Sequence, residues 1–244
     1  MRTFSSVQAE EVLAAPKWPE AWPFTAADFG RMDETPDTQF YSDSRLVYHI
    51  DDGAIGALSE YYAEVFQKFN DEEGRPPDVL DICSSWVSHY PKDAALGAVC
   101  GCGMNEYELS QNPVFTGGND KEACPPFVAK DLNIDPVVPY PDASFDFVTC
   151  VVSVDYLNKP LEVFNELRRV LRPGGQALMA ISNRCFPTKA IQIWLQTNDL
   201  EHIFIVGSYF HYSGGWEAPF AVDRSPNPGA SDPMFIIQAK KKED

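Results

Sequence analysis

One stretch of the chain combines a carboxylate with small residues, and this pattern indicates a ligand-binding turn. The apolar run that begins at Val79 ends in Asp81, and Cys83, Ser84 and Ser85 follow directly. Such a run is typical of a buried parallel strand that ends beside a ligand. The turn would place backbone amide groups and a carboxylate above the carboxyl end of the sheet.

Several side chains able to exchange a proton also fall at the ends of predicted strands. The candidates are His89, Asp155, Tyr156 and Asn183. We favour Asp155 and Tyr156 as catalytic residues, because they follow a strand end that faces the substrate in open α/β sheets. A single histidine in such a place is more often a structural hydrogen-bonding residue than a base. Tyr41 and His49 are candidates for covering the site.

The elements that must position these groups follow from apolar periodicity. Predicted strands cover residues 79–83, 98–101, 127–132, 144–153, 176–182, 202–210 and 234–239. A helix capped by Asp51 or Asp52 is predicted to run to about Phe69, and further helices are predicted from Asn105, from Pro160 and over 189–200. The chain from the first strand onward therefore predicts alternating strands and helices, with the last two strands pairing as an antiparallel hairpin.

The first 39 residues differ in composition from the rest of the chain. Prolines and aromatic residues alternate there without a helical or strand period, as in residues 15–19 and 21–24. We predict an N-terminal arm over residues 1–39 and a single domain over residues 40–244. A packed irregular arm is favoured over a partner-binding tail, although a protein partner bound through the arm stays open.

Composition limits the classes of function. The 244 residues carry a net charge of −17, which repels phosphate backbones and disfavours nucleic acid as a substrate. The six cysteines lack zinc-ligand spacing, so we expect free thiols and no metal site. No apolar run is long enough to span a membrane, and the N-terminus lacks a signal pattern. We therefore expect a soluble intracellular protein, in the cytoplasm or inside an organelle.

Two motifs give the chain a family resemblance. Residues 164–175 (FNELRRVLRPGG) and residues 144–148 (SFDFV) have the sequence and spacing found before the fifth strand and at the fourth strand of one enzyme class. Over residues 40–240 the chain resembles the class I S-adenosylmethionine-dependent methyltransferases, particularly the type 11 group. The resemblance implies a Rossmann-like, doubly wound α/β fold, with a mostly parallel seven-stranded sheet and a C-terminal antiparallel hairpin.

The resemblance also implies which residues hold S-adenosylmethionine. The family's first motif, D-x-G-x-G-x-G, falls on Asp81 to Val87, so all three glycines are replaced here. Gly103 stands where the family has an acid that binds the ribose, and Asn105 or Glu106 is expected to take over. The expected cofactor-binding residues are Asp81, Cys83, Ser84, Ser85, Asn105, Asp131, Leu132 and Ser153, with Asp131 and Leu132 at the position that binds the adenine.

The expected function is methyl transfer from S-adenosylmethionine to a small molecule. The replaced glycines keep an alternative open, in which the chain is a non-catalytic binding or scaffold protein with the methyltransferase fold. A nicotinamide-dependent oxidoreductase is less favoured, because no G-x-G-x-x-G motif follows the first strand. The Pro-Gly-Gly motif ending at Gly175 is expected to shape the fold, since glycine allows a positive φ where a helix gives way to a strand.

Overall fold

A computed structural model describes residues 7–243, in which seven strands form one sheet. The strands are β1 (Val79–Ser84), β2 (Val99–Gly103), β3 (Phe127–Ala129), β4 (Phe145–Val151), β5 (Leu171–Ile181), β6 (Phe220–Asp223) and β7 (Phe235–Lys240). Their order is β3-β2-β1-β4-β5-β7-β6. The first five strands are parallel to one another, whereas β7 is antiparallel to both β5 and β6. The predicted mostly parallel seven-stranded sheet is confirmed.

Helices cover both faces of this sheet. They are α1 (Ala9–Ala14), α2 (Asp37–Phe40), α3 (Asp52–Glu73), α4 (Glu106–Ser110), α5 (Pro160–Val170), α6 (Gln192–Gln196) and α7 (Asp199–Ser213). Phe147 and Leu178 belong to a core cluster with α3, and the next residues along their strands, Val148 and Met179, belong to the cluster with α5 and α7. Successive strand residues point to opposite faces, so the sheet is buried on both sides, as a doubly wound fold requires.

Helix α3 confirms the prediction from its cap and its apolar face. The Asp51 side chain accepts a hydrogen bond from the Ala54 amide at 2.9 Å, and Gly74 ends the helix at a φ of 66°. Leu58, Tyr62 and Phe66 are buried, as the spacing predicts. The helix extends four residues beyond the predicted end at Phe69, to Glu73.

The expected alternation of strands and helices is wrong at two connections. Residues 85–98, between β1 and β2, contain no helix, and neither do residues 130–144, between β3 and β4. Pro91 interrupts the first of these segments, and proline lacks the amide hydrogen that a helix interior needs. The crossover from β1 to β2 therefore has to be held by side-chain contacts.

The strand predicted over His202–Phe210 is also wrong, because these residues lie in α7. Asn198 caps this helix together with Glu201, in a reciprocal capping box. The helix is apolar on nearly all sides because it packs against α1, α5 and β7 at once. Burial on several faces hides the helical period, so the segment resembles a buried strand. The predicted helix over 189–200 is reduced to α6 and the start of α7.

The C-terminal antiparallel pair exists, but its members are β6 and β7. The predicted partner of β7 was the segment that forms α7, whereas the actual partner is Phe220–Asp223. The Pro-Gly-Gly motif lies at a register shift between β4 and β5, where Gly174 has a φ of 73°. A β-carbon at Gly175 would lie 3.0 Å from the Asp146 carbonyl oxygen, so the motif fits its predicted role in shaping the fold.

The N-terminal arm packs on the domain. Helix α1 contacts β6 and α7, and Trp18 stacks on His211 of α7 with the ring centroids 4.8 Å apart. Trp22 packs against Phe29 and Tyr209, at 5.9 and 6.1 Å. Residues 1–6 of the arm lie outside the described residues. The division at residue 39 stays a prediction, and it falls inside α2.

Because the arm contributes aromatic side chains to the core, its removal should destabilise the whole domain. We expect Trp22→Ala to lower the free energy of unfolding by roughly 2–3 kcal/mol, through lost aromatic packing. Met32→Ala, at a residue of the same arm that is 67% exposed, should change it by less than about 0.5 kcal/mol. Urea denaturation of both variants tests this, and equal losses would contradict it.

Candidate functional site

A cavity of about 250 Å³ opens above the carboxyl ends of β1, β2 and β4. Strand β1 lies between β2 and β4, so the order of strands reverses at this place. The crevice outside such a reversal is where open α/β sheets bind ligands. The walls come from the ends of these strands, the loop after β3, and residues 37–50 and 184–186.

Nearly all the residues predicted for the site line this cavity. Lining positions are occupied by Asp81, Cys83, Ser84, Ser85, Asn105, Asp131, Leu132, Ser153 and Tyr156. Tyr41, His49 and His89 also line it, whereas Asp155 and Asn183 do not. The structure thus brings together residues from five separate parts of the chain, and their individual roles stay predictions.

The predicted catalytic pair is divided between the cavity wall and the interior. Asp155 is 3% exposed, and no hydrogen-bond partner for its Oδ2 atom is found among the described residues. Burial raises its pKa well above the usual range, which favours the protonated carboxyl group. Tyr156 reaches the cavity, and its hydroxyl accepts a hydrogen bond from the Phe186 amide at 2.7 Å. In the short turn Val154–Tyr156, the side chain of Tyr156 lines the cavity and that of Asp155 does not. A proton-transfer role for Asp155 therefore gains no support.

Asp81 is turned inward and organises the cavity floor. Its carboxylate accepts hydrogen bonds from the hydroxyls of Ser84 at 2.5 Å, Ser88 at 2.7 Å and Thr149 at 3.0 Å. Thr149 also shares a hydrogen bond with the Tyr90 hydroxyl at 2.6 Å. Burial raises the pKa of Asp81 to about 6, although the three hydroxyls favour the ionised form. One carboxylate thus ties the turn, the crossover and β4 together.

The turn after β1 explains two departures from the family motif. Cys83 has a φ of 51° and lies at a register shift between β1 and β2, so a residue with a side chain occupies a left-handed position. The shift brings the Ser84 carbonyl oxygen against Gly103, where a β-carbon would lie only 2.0 Å away. No side chain fits at residue 103, which accounts for the missing acid at the end of β2.

A carboxylate that the sequence reasoning missed occupies this region. Glu108 is 8% exposed; its Oε2 accepts a hydrogen bond from the Ser85 hydroxyl and its Oε1 from the Arg45 amide, both at 2.6 Å. Glu106, one of the expected replacements, is exposed and lies outside the cavity wall. Asn105 caps α4 and donates to the Tyr41 carbonyl oxygen at 2.8 Å. The third residue of a capped helix turns back toward the cap, and this signal would have favoured Glu108.

An aromatic wall faces the carboxylates. Phe186 packs against Phe40, His49 and Tyr156, with ring centroids 5.3, 5.4 and 6.0 Å apart. Burial raises the pKa of Tyr41 and of Tyr156, so both hydroxyls remain neutral. The cavity therefore offers buried acceptor oxygens on one side and uncharged ring faces on the other.

Residues 86–179 match the sequence model of a family described as a methyltransferase domain. This segment is similar to a methyltransferase domain. The matched segment includes both motifs on which the resemblance rested, so that resemblance is confirmed. It begins directly after Ser85, so the replaced glycine positions Cys83 and Ser85 lie outside it, whereas Val87 lies inside it.

Solved structures similar to this chain have low sequence identity to it. The [4+2]-cyclase SpnF is 14% identical, with 82% of this chain and 89% of that chain covered and a TM-score of 0.53. A methyltransferase from Aquifex aeolicus is 18% identical, covering 78% and 98%, with a TM-score of 0.46. The YcgJ protein from Bacillus subtilis is 13% identical, covering 76% and 100%, with a TM-score of 0.47. No curated protein matches the sequence.

The cover of the cavity is anchored by a buried ionic cluster. Arg31 donates to both carboxylate oxygens of Asp37 at 2.7 and 2.8 Å, and the Lys189 ammonium, fully buried, lies 3.2 Å from the same carboxylate. Asn133 donates to it at 3.0 Å. These partners lower the pKa of Asp37 despite its burial. The cluster fixes α2, whose Asp37 lines the cavity, against the loop after β3.

Among residues 7–243, no group of three His, Cys, Asp or Glu side chains is arranged to hold a metal ion. Within the same range, no helix is long and apolar enough to cross a bilayer.

The buried Asp81 should leave a signature in the pH dependence of stability. Its folded pKa of about 6 exceeds the ordinary value, so the folded state binds more protons between about pH 4 and pH 6. Its contribution to the free energy of unfolding is full below about pH 4 and is lost as pH rises through about 6, by roughly 2–3 kcal/mol. Asp81→Asn should abolish this loss, as measured by urea denaturation from about pH 4 to pH 7.

The control for this prediction is Asp43→Asn, at an exposed loop residue. Its stability should follow the same pH profile as that of the unmodified protein. Parallel profiles for the unmodified protein and Asp81→Asn would show that the Asp81 carboxylate is not held as described.

Proposed function

We propose that this chain transfers a methyl group from S-adenosylmethionine to a small molecule bound in the cavity. The observation that carries the proposal is the position of that cavity, beside the segment that matches a methyltransferase domain and at the reversal of strand order. The likeness to a [4+2]-cyclase shows that the fold alone does not fix the reaction. The side chains that line the cavity must therefore also suit the cofactor.

The polar side chains of the cavity fit an adenosyl group. Each Glu108 oxygen accepts one hydrogen bond and keeps further acceptor capacity, which suits the two ribose hydroxyls. Ser85, bonded to Glu108, adds a hydroxyl at the same place. The Asn105 side chain is already engaged by α4 and by Tyr41, so Glu108 is the better ribose ligand. By the family resemblance, Asp131 and Leu132 would hold the adenine.

The remaining residues would orient the reactants. Bound S-adenosylmethionine supplies an electrophilic methyl group on a sulfonium ion. The neutral ring faces of Tyr41, Tyr156 and Phe186 would stabilise a cation beside them and keep water away. Catalysis of methyl transfer then depends chiefly on holding the acceptor in line with the methyl group.

The non-catalytic binding protein is the less favoured alternative. Its main argument was the loss of the family's glycines and of the acid at the end of β2. Cys83 takes the left-handed conformation that a glycine would supply, and Glu108 places a carboxylate near the position of the missing acid. Both features support retained cofactor binding, and turnover distinguishes the two proposals.

Calorimetric titration with S-adenosylhomocysteine tests the proposed cofactor site. We expect the unmodified protein to bind it and Glu108→Gln to bind at least ~10-fold more weakly, because a charge-assisted hydrogen bond to a hydroxyl contributes about 1.5–3 kcal/mol. Glu106→Gln, on the exposed side of the same helix, should bind like the unmodified protein.

Two outcomes would contradict the proposal at different levels. Absence of binding to the unmodified protein would reject the cofactor and, with it, the methyltransferase activity. Equal affinities of Glu108→Gln and Glu106→Gln would reject only the role of Glu108. In the first case the fold would remain as a scaffold for another function.

A further inference from the structure

Backbone strain is concentrated at the cavity. Four residues other than glycine have a positive φ in the described part of the chain, and three of them line the cavity: Cys83 at 51°, His89 at 58° and Val152 at 42°. Residues with a β-carbon rarely adopt this conformation, and they hold it where the surrounding structure forces them to. Of the three, His89 carries an imidazole, a side chain that often accepts a proton in catalysis.

Both neighbours of His89 are fixed by buried hydrogen bonds. Ser88 donates to the Asp81 carboxylate at 2.7 Å and accepts from the Asn112 amide at 2.9 Å. Tyr90 shares a hydrogen bond with Thr149 at 2.6 Å. The strained conformation of His89 is therefore set from both sides by the network around Asp81, although the crossover contains no helix.

The imidazole of His89 is free to accept a proton. In the part of the chain that the structure describes, neither ring nitrogen has a hydrogen-bond partner. Burial and the neighbouring His49 lower the pKa of His89 to about 4, so the ring is neutral at physiological pH. The surroundings are largely aromatic: the Tyr48 ring lies 6.0 Å from His89 and 4.9 Å from Trp86. An acceptor held here would meet a neutral base beside apolar surfaces.

We propose that His89 is the proton acceptor of the reaction and that the methyl acceptor is an uncharged aromatic molecule with a hydroxyl group. This inference rests on the proposed function and names its substrate class. A carboxylate acceptor needs no base, and an ammonium acceptor needs a stronger one. An aryl hydroxyl becomes strongly acidic as its oxygen bonds to carbon, so a weakly basic imidazole suffices.

In the proposed methyl transfer, a lone pair of the hydroxyl oxygen forms the new bond to the methyl carbon, and the electron pair of the carbon–sulfur bond leaves with sulfur. The hydroxyl proton passes to a ring nitrogen of His89. The imidazolium then releases this proton to water, so the residue returns to its neutral form.

The test compares His89→Asn with the unmodified protein. Asparagine tolerates the left-handed conformation and cannot take the proton. His211→Asn, on α7 and stacked on Trp18, is the matched control and should retain full activity. The acceptors are 4-methylphenol, which is protonated at about pH 8.5, and 4-nitrophenol, which is largely ionised there and needs no base. Methylated product is measured by mass spectrometry.

We expect His89→Asn to lose roughly 100-fold in kcat with 4-methylphenol and less than ~10-fold with 4-nitrophenol. Binding of S-adenosylhomocysteine should be unchanged, and failure of the unmodified protein to bind it would reject the proposed function itself. Three results obtained with binding intact would overturn this inference alone. They are an unchanged rate in His89→Asn, equal losses with both phenols, and no methylation of either phenol by the unmodified protein.

A second readout does not depend on turnover. The chain has four histidines, and the imidazole resonance that disappears in His89→Asn identifies His89 by nuclear magnetic resonance. In the protein without ligands, this resonance should titrate well below the ordinary histidine range. Titration near the ordinary value would show that the ring is exposed to water and would overturn the placement.

Discussion

The carboxylate of Asp81 is the interaction on which the cavity depends. It lies in the interior at the end of β1 and accepts hydrogen bonds from the turn, the crossover and β4. Burying a carboxylate costs free energy unless its oxygens accept hydrogen bonds. The three hydroxyls that donate to Asp81 are therefore fixed in position by the same hydrogen bonds that stabilise the carboxylate. The pKa of Asp81 stays raised because the three hydrogen bonds offset only part of the desolvation penalty.

This network replaces a regular element. No helix joins β1 to β2, so residues 85–98 depend on Ser88, Tyr90 and Asn112 to fix their path. Irregular backbone can present side chains that a helix would turn away from the ligand, and functional residues are often found on such segments. The left-handed conformations of Cys83 and His89 are the local consequence of routing the chain in this way.

The N-terminal arm is coupled to the same site. Its aromatic residues pack on α7, and the ion pairs of Asp37 with Arg31 and Lys189 fix the short helix that covers the cavity. Asp37 and Asp33 compensate the charges of Arg31 and Lys189, so this part of the arm has a defined position. The cover and the floor of the cavity come from separate segments of the chain, which the fold brings together.

Local sequence determined much of this protein. The β4 strand, the cap of α3, the Pro-Gly-Gly bend and the clustering of Asp81, Ser85 and Asp131 follow from apolar runs, capping residues and the shared edge of parallel strands. These signals depend on neighbours in the chain and are therefore visible without a structure. For the same reason the class of fold was predictable, and both family motifs lie in the part of the chain that shapes the sheet.

The tertiary structure alone decided the rest, because the causes lie between residues far apart in sequence. Helix α7 is buried on several faces, so its composition resembled that of a buried strand. The Ser84 carbonyl excluded a side chain at Gly103, and the first turn of α4 placed Glu108 inside and Glu106 outside. Asp155, a favoured catalytic candidate, lies in the interior, whereas His89, which was not favoured, lines the cavity. Whether a side chain reaches the cavity depends on the packing around its backbone, which no local pattern records.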